Sequence, residues 1–325
     1  MDLKATKRSA ANSLSQAVYS PKKLVAIHTG AMLLLALVLT VLQFLLEQGI
    51  ADTGGLANLQ NRALLSTAQS VLTILNMVAL PFWQMGLLFA ALRLSRQETA
   101  YPTSLLEGFR RWGPLIRLFA LEIGIIMLVF FACSYLAGIL FSFTPFMEDA
   151  IPVMEQMLDP SGALDPSAFS TEMLYKVFMP LYLILLATMT IVGIPLFYRL
   201  RLAPYAIMDD TPKAFSALKT SNRLMRRNGF ALFRVDLSFW WYYGAKVLVS
   251  ALPYGYLLPS TLGVTLPLSD TVLYFLLYGL FLVLTLALEW VFGAQVQVTY
   301  AHCDNTLKEA AGPPPAPQPF PQPRG

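Results

Sequence analysis

The chain has 325 residues, of which 56% are hydrophobic and only 13% charged, with a mean hydropathy of +0.57 and a formal net charge of +4. A soluble domain carries about 25% charged residues, so this composition excludes an ordinary water-soluble fold. The cations sort by loop instead of massing in one patch, which argues against a nucleic-acid partner.

Residues 1–23 are a basic lead-in carrying Lys4, Lys7, Arg8, Lys22 and Lys23. Six apolar stretches follow, at Leu24–Leu46, Ala63–Leu94, Pro114–Phe143, Val177–Tyr198, Val235–Leu258 and Thr271–Tyr300. Each is long enough to cross a hydrocarbon core of roughly 30 Å as a helix. The first runs well past the ~7–15 apolar residues of a cleavable signal and reads as an uncleaved anchor. The second is longer than a bilayer needs, which predicts a tilt, a kink at Pro81 or an overhang beyond the membrane.

Lys and Arg concentrate in every second loop. Arg93, Arg96, Arg110, Arg111 and Arg117 surround the loop between the second and third stretches, and Arg199, Arg201, Lys213, Lys219, Arg223, Arg226, Arg227 and Arg234 that between the fourth and fifth. The alternate loops hold Arg62, Lys176 and little else, so the positive-inside rule places both termini in the cytoplasm. The loop between the third and fourth stretches suits the outer side: it is acidic, with Glu148, Asp149, Glu155, Asp159, Asp165 and Glu172. Four prolines predict an irregular path with one short helix there, and Met147, Met154 and Met157 read as packing on the membrane surface.

The stretches pair as three hairpins, each opened by a cytoplasmic elbow. Arg110-Arg111-Trp112-Gly113 and Arg226-Arg227-Asn228-Gly229 are matching junctions, which fit either an internal duplication or the common taste of entering helices for cations and Gly. Ser104 and Glu107 have capping-box spacing, and Leu105, Leu106, Phe109 and Trp112 share a helical face. Farther on, Thr211 and Pro212 suit a helix start, and Ala214, Phe215, Leu218 and Met225 form an apolar stripe. Lys213, Lys219, Arg223, Arg226 and Arg227 occupy the other faces. Such a helix lies in the headgroup plane, stripe in lipid and cations on anionic headgroups or a cytoplasmic protein partner; the simpler reading is an elbow that sets the angle of the next span.

Three ionisable residues lie well inside the stretches: Glu122, Lys246 and Glu289. Charges in a membrane are costly, so each predicts a partner or a role. Lys246 and Glu289 fall at matching depths near the midplane of adjacent antiparallel helices, where they would pair. The pair is either a coupling site of a transporter or a device fixing helix register. Glu122 is expected to meet an arginine at the inner rim or a wet cavity. Asp236 is expected to favour the N-terminus of the fifth span, beside the aromatic run Phe239–Tyr243.

No catalytic residue, cofactor or metal site is predicted. The only histidines are His28 and His302, and HExxH, GxxxxGK[ST] and GxSxG patterns are missing, so an enzyme is not expected. Cys133 and Cys303 sit at different depths, which disfavours a disulfide; Cys303 beside the membrane reads as an ordinary thiol, lipidation being the sharper alternative.

The run Ala217-Leu218-Lys219-Thr220-Ser221-Asn222-Arg223-Leu224-Met225, continued by Asn228-Gly229, Phe233, Asp236-Leu237-Ser238-Phe239 and Trp241, resembles the signature of a bacterial membrane-protein family, the domain of unknown function nine-seven-five. The resemblance implies several spans, a basic cytoplasmic helix before a Leu-Ser-Phe-containing span, and the bacterial cytoplasmic membrane. It implies no activity. Members tend to end in a Tyr followed by acidic residues, whereas here Tyr300-Ala301-His302-Cys303-Asp304 leads into a Pro-rich tail.

The expectation is an all-α membrane bundle of six transmembrane helices over residues 24–300, with cytoplasmic amphipathic elbows and a disordered cytoplasmic tail over 301–325. Its expected role is non-enzymatic, as a membrane module binding lipid or a partner through its basic helices. The alternative is a small-molecule permease or exporter with a midplane Lys246–Glu289 site.

Overall fold

The structure is a computed structural model that describes residues 2–52, 59–155, 174–209, 213–257 and 269–312. Among these residues there is no β-strand. The helices are α1 (Leu3–Ser15), α2 (Pro21–Asp52), α3 (Leu59–Ser95), α4 (Glu107–Arg110), α5 (Trp112–Ser142), α6 (Phe146–Glu155), α7 (Met179–Leu200), α8 (Ala203–Asp209) and α9 (Ala214–Met225). They continue with α10 (Gly229–Ser238), α11 (Trp240–Ala251), α12 (Asp270–Leu288) and α13 (Ala294–Ala311). Among the described residues, five helical segments are long and apolar enough to cross a membrane: Pro21–Leu46, Ala63–Ser95, Trp112–Ser142, Met179–Asp209 and Thr271–Ala311.

The expected span Val235–Leu258 does not run as one helix. Its N-terminal part belongs to α10, the chain leaves helical geometry at Phe239 (φ −114°, ψ 16°), and α11 restarts at Trp240. Bulky aromatics lose rotamer freedom against a preceding helical turn, and here five stand in a row from Phe239 to Tyr243. The restart is closed by Phe239 O, which accepts from Tyr242 N at 2.9 Å and Tyr243 N at 3.1 Å. After Ala251 the chain tightens into a 3₁₀ turn, Leu252–Leu257, where Pro253 supplies no N–H to an α-helix.

The last helix is longer than expected. Beyond α12 it passes through a π turn, Glu289–Gly293, into α13, which continues to Ala311. Residues 301–311 are therefore ordered helix, not the start of a disordered tail, because Ala301, Cys303, Asp304 and Leu307 are buried. Burial of Cys303 argues against its lipidation, and neither cysteine forms a disulfide among the described residues. The prolines beyond Gly312, the outer-loop residues 156–173 with Met157, Asp159, Asp165 and Glu172, and the proposed cap at Thr211 and Pro212 lie outside the described residues.

The chain divides into two packed units. The first holds α1–α4, most of α8, and α10–α13. In it α2 packs on α3 and on the π turn, and α13 packs on α1 and α3. α1 begins at Asp2, whose carboxylate caps Lys4 N at 2.9 Å, and buries the small residues Thr6, Ala10 and Ser13. α3 is approached closely by the segment after it: a β-carbon on Gly86 would stand 1.8 Å from Leu105 O, and one on Gly108 would stand 1.9 Å from Phe82 O. The predicted capping box there takes another form. Residues Pro102–Leu106 make a 3₁₀ turn, Ser104 Oγ accepts from Tyr101 N at 3.3 Å, and Glu107 turns to Arg110. Of the expected apolar face only Leu105 is buried; Leu106, Phe109 and Trp112 are exposed.

The second unit holds the body of α5, then α6, α7 and α9. Phe141, Ala150 and Val177 form a small core joined by Met147, Leu181 and Ile184. α9 lies on α7, pinned by the buried Ser221 hydroxyl, which donates to Arg199 O at 2.6 Å and accepts from Leu202 N at 3.1 Å.

Candidate functional site

A polar cluster lies inside the first unit, on α11 and the π turn. Tyr242 and Lys246 are four residues apart on α11, hence on one face. Lys246 Nζ donates to Glu289 Oε1 at 2.7 Å, and Tyr242 OH donates to the same oxygen at 2.7 Å. The ammonium also lies 5.4 Å from the Tyr242 ring centroid, within cation–π range. The two charges are unequally covered: the Glu289 side chain is 11% exposed, the Lys246 side chain 45%.

The 19 residues of α12 precede Glu289. At ~1.5 Å per residue they span about 28 Å, close to a full hydrocarbon thickness. Glu289 therefore follows a membrane-length apolar helix, within the longer apolar segment Thr271–Ala311. The stretch expected to end at Tyr300 carries Gln295 and Gln297 past the π turn and is not continuously apolar.

Neighbouring groups hold both irregularities in place. Tyr300 OH donates to Asp236 Oδ1 and shares a 2.7 Å hydrogen bond with Tyr243 OH, so α13 staples both sides of the break at Phe239. Asp236 thus sits late in α10 as an acceptor for Tyr300, not at a helix N-terminus. From α1, Lys7 Nζ donates to Ser238 O at 3.5 Å and lies 4.1 Å from the Phe239 ring centroid. Burial lowers the Lys7 pKa from its ordinary value. On α2 and α3, Trp83 Nε1 donates to His28 O at 3.1 Å while His28 Nε2 lies 3.2 Å from Trp83 O, a reciprocal pair with stacked rings.

A second feature is the outer face of α9. Ala214, Ala217, Leu218, Ser221, Leu224 and Met225 are buried, but against protein and not lipid, since the helix lies on α7. The predicted stripe is corrected at Phe215, which is 74% exposed. Lys213, Lys219, Arg223, Arg226 and Arg227 are exposed and have no carboxylate partner among the described residues. Arg110 and Arg111, also candidates from the sequence for binding lipid or a partner, make contacts within the protein. Arg110 pairs with Glu107 at 2.7 Å, and Arg111 Nη1 donates to Ile207 O, Met208 O and Asp209 O at 3.0, 2.7 and 3.4 Å. Arg111 thus caps the end of α8, where helix carbonyls lack intrahelical donors.

A third cluster was missed by sequence reasoning. Arg96 makes a two-pronged ion pair with Asp209, both contacts 2.6 Å, and Lys308 bridges Asp209 at 2.8 Å and Asp304 at 2.6 Å. Only the i,i+4 spacing of Asp304 and Lys308 was visible beforehand. Beside it an open cleft of about 670 Å³ is lined wholly by polar residues of α1, the end of α3 and α13, among them Ser13, Arg96, His302 and Asn305. His302 is hydrogen-bonded to Ser13 at 3.0 Å. Glu122, in the second unit, is half-buried and meets no arginine among the described residues. No three His, Cys, Asp or Glu side chains converge as metal ligands among those residues.

No protein-family model, curated protein or solved structure matches the chain.

Proposed function

We propose that this is a non-enzymatic, multi-pass module of the bacterial cytoplasmic membrane that binds anionic lipid headgroups through α9. The observation that carries the reading is the cationic surface of that helix and its flanks: Lys219 and Arg223 on α9 with Lys213, Arg226 and Arg227 beside its ends, all exposed, no acidic residue among them, and Phe215 projecting beside them. Each cation near an anionic leaflet contributes about 1 kcal/mol, so five unneutralised charges give a substantial attraction. Because the apolar stripe of α9 is already seated on α7, the helix presents its charges without first having to fold onto the membrane.

A six-span topology with both ends in the cytoplasm is part of this reading. The packing of α1 on α13, with the Ser13–His302 hydrogen bond, supports placing these two helices on one side of the membrane. Five crossings would separate them; counting the broken α10–α11 segment as a crossing brings them together. The cationic loops then face inward by the positive-inside rule. Melting of the detergent-purified protein tests the lipid reading. Phosphatidylglycerol is expected to raise the melting temperature over phosphatidylcholine, and Lys219→Gln/Arg223→Gln/Arg226→Gln is expected to lose that rise. An equal rise in the triple variant overturns the reading.

The permease reading draws on a different observation. The sequence showed no broken span, yet both helices carrying Lys246 and Glu289 are irregular beside them, at Phe239 and in the π turn. Non-helical backbone at membrane depth commonly lines a solute site. Solute uptake into proteoliposomes that disappears in Glu289→Gln would favour it; uptake equal to empty vesicles would exclude it for the solutes tried.

A further inference from the structure

Glu289 and Lys246 are held very differently. The carboxylate is almost enclosed, whereas nearly half of its partner's side chain is open. A carboxylate taken that far from water must keep a cation or several donors, because the desolvation cost otherwise falls on it alone. The lysine has no such constraint. Its four-carbon stem is flexible, and its ammonium can turn outward into the space its own exposed side already faces.

We propose that Glu289 is a binding site for a primary ammonium group carried by a ligand, and that Lys246 holds the place when the ligand is absent. Exchange substitutes one ammonium for another and leaves the buried charge unchanged. The surroundings fit an incoming ammonium at three points. Glu289 Oε1 is presented as the acceptor, already used by an ammonium at 2.7 Å. The Tyr242 ring offers its face to the same cation. The Tyr242 hydroxyl, donating to Oε1 at 2.7 Å, keeps the carboxylate partly satisfied while the two cations change over. A second acceptor is available. Glu289 Oε2 occupies the notch left by Gly293 and accepts no hydrogen bond from the described residues.

The backbone around the site is also set apart. The π turn Glu289–Gly293 carries the carboxylate, and the break at Phe239 lies three residues before Tyr242. Single π turns inside long helices recur at functional positions. With α12 as the crossing, the site lies at the depth of a lipid headgroup amine; a soluble amine from the inner face carries the same chemistry. A quaternary ammonium does not, since it has no N–H to donate to Glu289.

The test compares wild type with Lys246→Met/Glu289→Gln, which removes both charges together and so leaves neither unmatched. In wild type, saturating phosphatidylethanolamine is expected to raise the melting temperature by roughly 5 °C over phosphatidylcholine, and the double variant is expected to show no difference. Free ethanolamine producing the same rise identifies a soluble amine; a rise confined to the lipid identifies a headgroup. In Lys246→Met alone, ethanolamine is expected to restore the lost melting temperature and tetramethylammonium is not. If that variant is not recovered folded, the comparison of wild type with the double variant decides. Equal responses in those two proteins, an equal effect of phosphatidylcholine, or no wild-type response to either amine source overturns the proposal.

Discussion

Gly293 makes room for the Glu289 carboxylate: a β-carbon placed on it would stand 2.2 Å from Glu289 Oε2 and 3.0 Å from Val25 Cγ1. The π turn brings these two residues over one another, and the missing side chain lets the carboxylate lie back toward α2. Gly293→Ala is therefore expected to lower stability by about 1–3 kcal/mol, the range for overfilled interiors. In a Glu289→Ala background the same substitution is expected to cost far less. Melting temperatures of the four proteins check this, and equal costs in both backgrounds would show that the carboxylate is not what Gly293 accommodates.

Lys246 and Glu289 form a pair whose members are not equivalent. Removing the cation by Lys246→Met strands a nearly enclosed carboxylate, whereas Glu289→Gln strands an ammonium on a side chain that is nearly half exposed. The first substitution is expected to be the more damaging, by at least ~1 kcal/mol, and the double variant is expected to recover part of the loss. Chemical or thermal unfolding of both singles and the double measures the coupling. Strict additivity would sink the idea of a pair.

The approach of α3 to the following turn rests on two glycines. A β-carbon at Gly86 or Gly108 would meet backbone oxygen atoms, which cannot rotate aside as side chains do. Gly86→Ala and Gly108→Ala are each expected to cost about 3 kcal/mol. Gly138→Ala, where the added carbon meets nothing within 4 Å, is expected to be neutral or stabilising. Thermal melting of the three variants would expose a failure of the argument if their order were reversed.

Two arginines that look alike in the sequence have different work. Arg111 caps three carbonyls at the end of α8, whereas Arg226 is exposed. Arg111→Ala is expected to destabilise by about 1.5–3 kcal/mol, the range for hydrogen bonds to charged groups, with little change in the response to anionic lipid. Arg226→Ala is expected to change stability by less than ~0.5 kcal/mol and to weaken the lipid response, more visibly at low salt.

Lys7 reaches from α1 to the break between α10 and α11. Lys7→Met removes a donor to Ser238 O and a cation over Phe239, and is expected to cost about 1 kcal/mol at neutral pH. Burial lowers the folded-state pKa below the ordinary 10.5, so the unfolded chain keeps this proton to higher pH. The Lys7 contribution to stability therefore improves as pH rises through the folded value toward 10.5 and is constant below that window. Subtracting the Lys7→Met unfolding curve from that of wild type across this range isolates the term; a difference that falls with rising pH would contradict the burial argument.

Much of the candidate site was legible as residue identities. Glu289 and Lys246 stand out because charges are rare in apolar runs, and the cations between Lys213 and Arg227 stand out because no acid accompanies them. Their surroundings were not legible. Tyr242 is one aromatic among five in a row, and nothing in that row says which hydroxyl turns to a carboxylate 47 residues away. Arg111 and Arg227 occupy equivalent places in matching junctions, yet the partner that separates them, the end of α8, is remote in sequence. The fifth apolar stretch conceals its break for a related reason: hydropathy registers composition over a window and is blind to a single residue leaving helical geometry.

Apolarity, helix length and charge distribution are local, additive properties, and they alone establish a helical protein with several membrane-length segments. The break at Phe239, the π turn at Glu289, the seat of α9 on α7 and the burial of α13 through Leu307 are contacts between distant segments. Each depends on which surfaces meet, and the energy separating one meeting from another is a few close contacts and hydrogen bonds. Those terms exist only once the helices are packed, so only the folded chain could decide them.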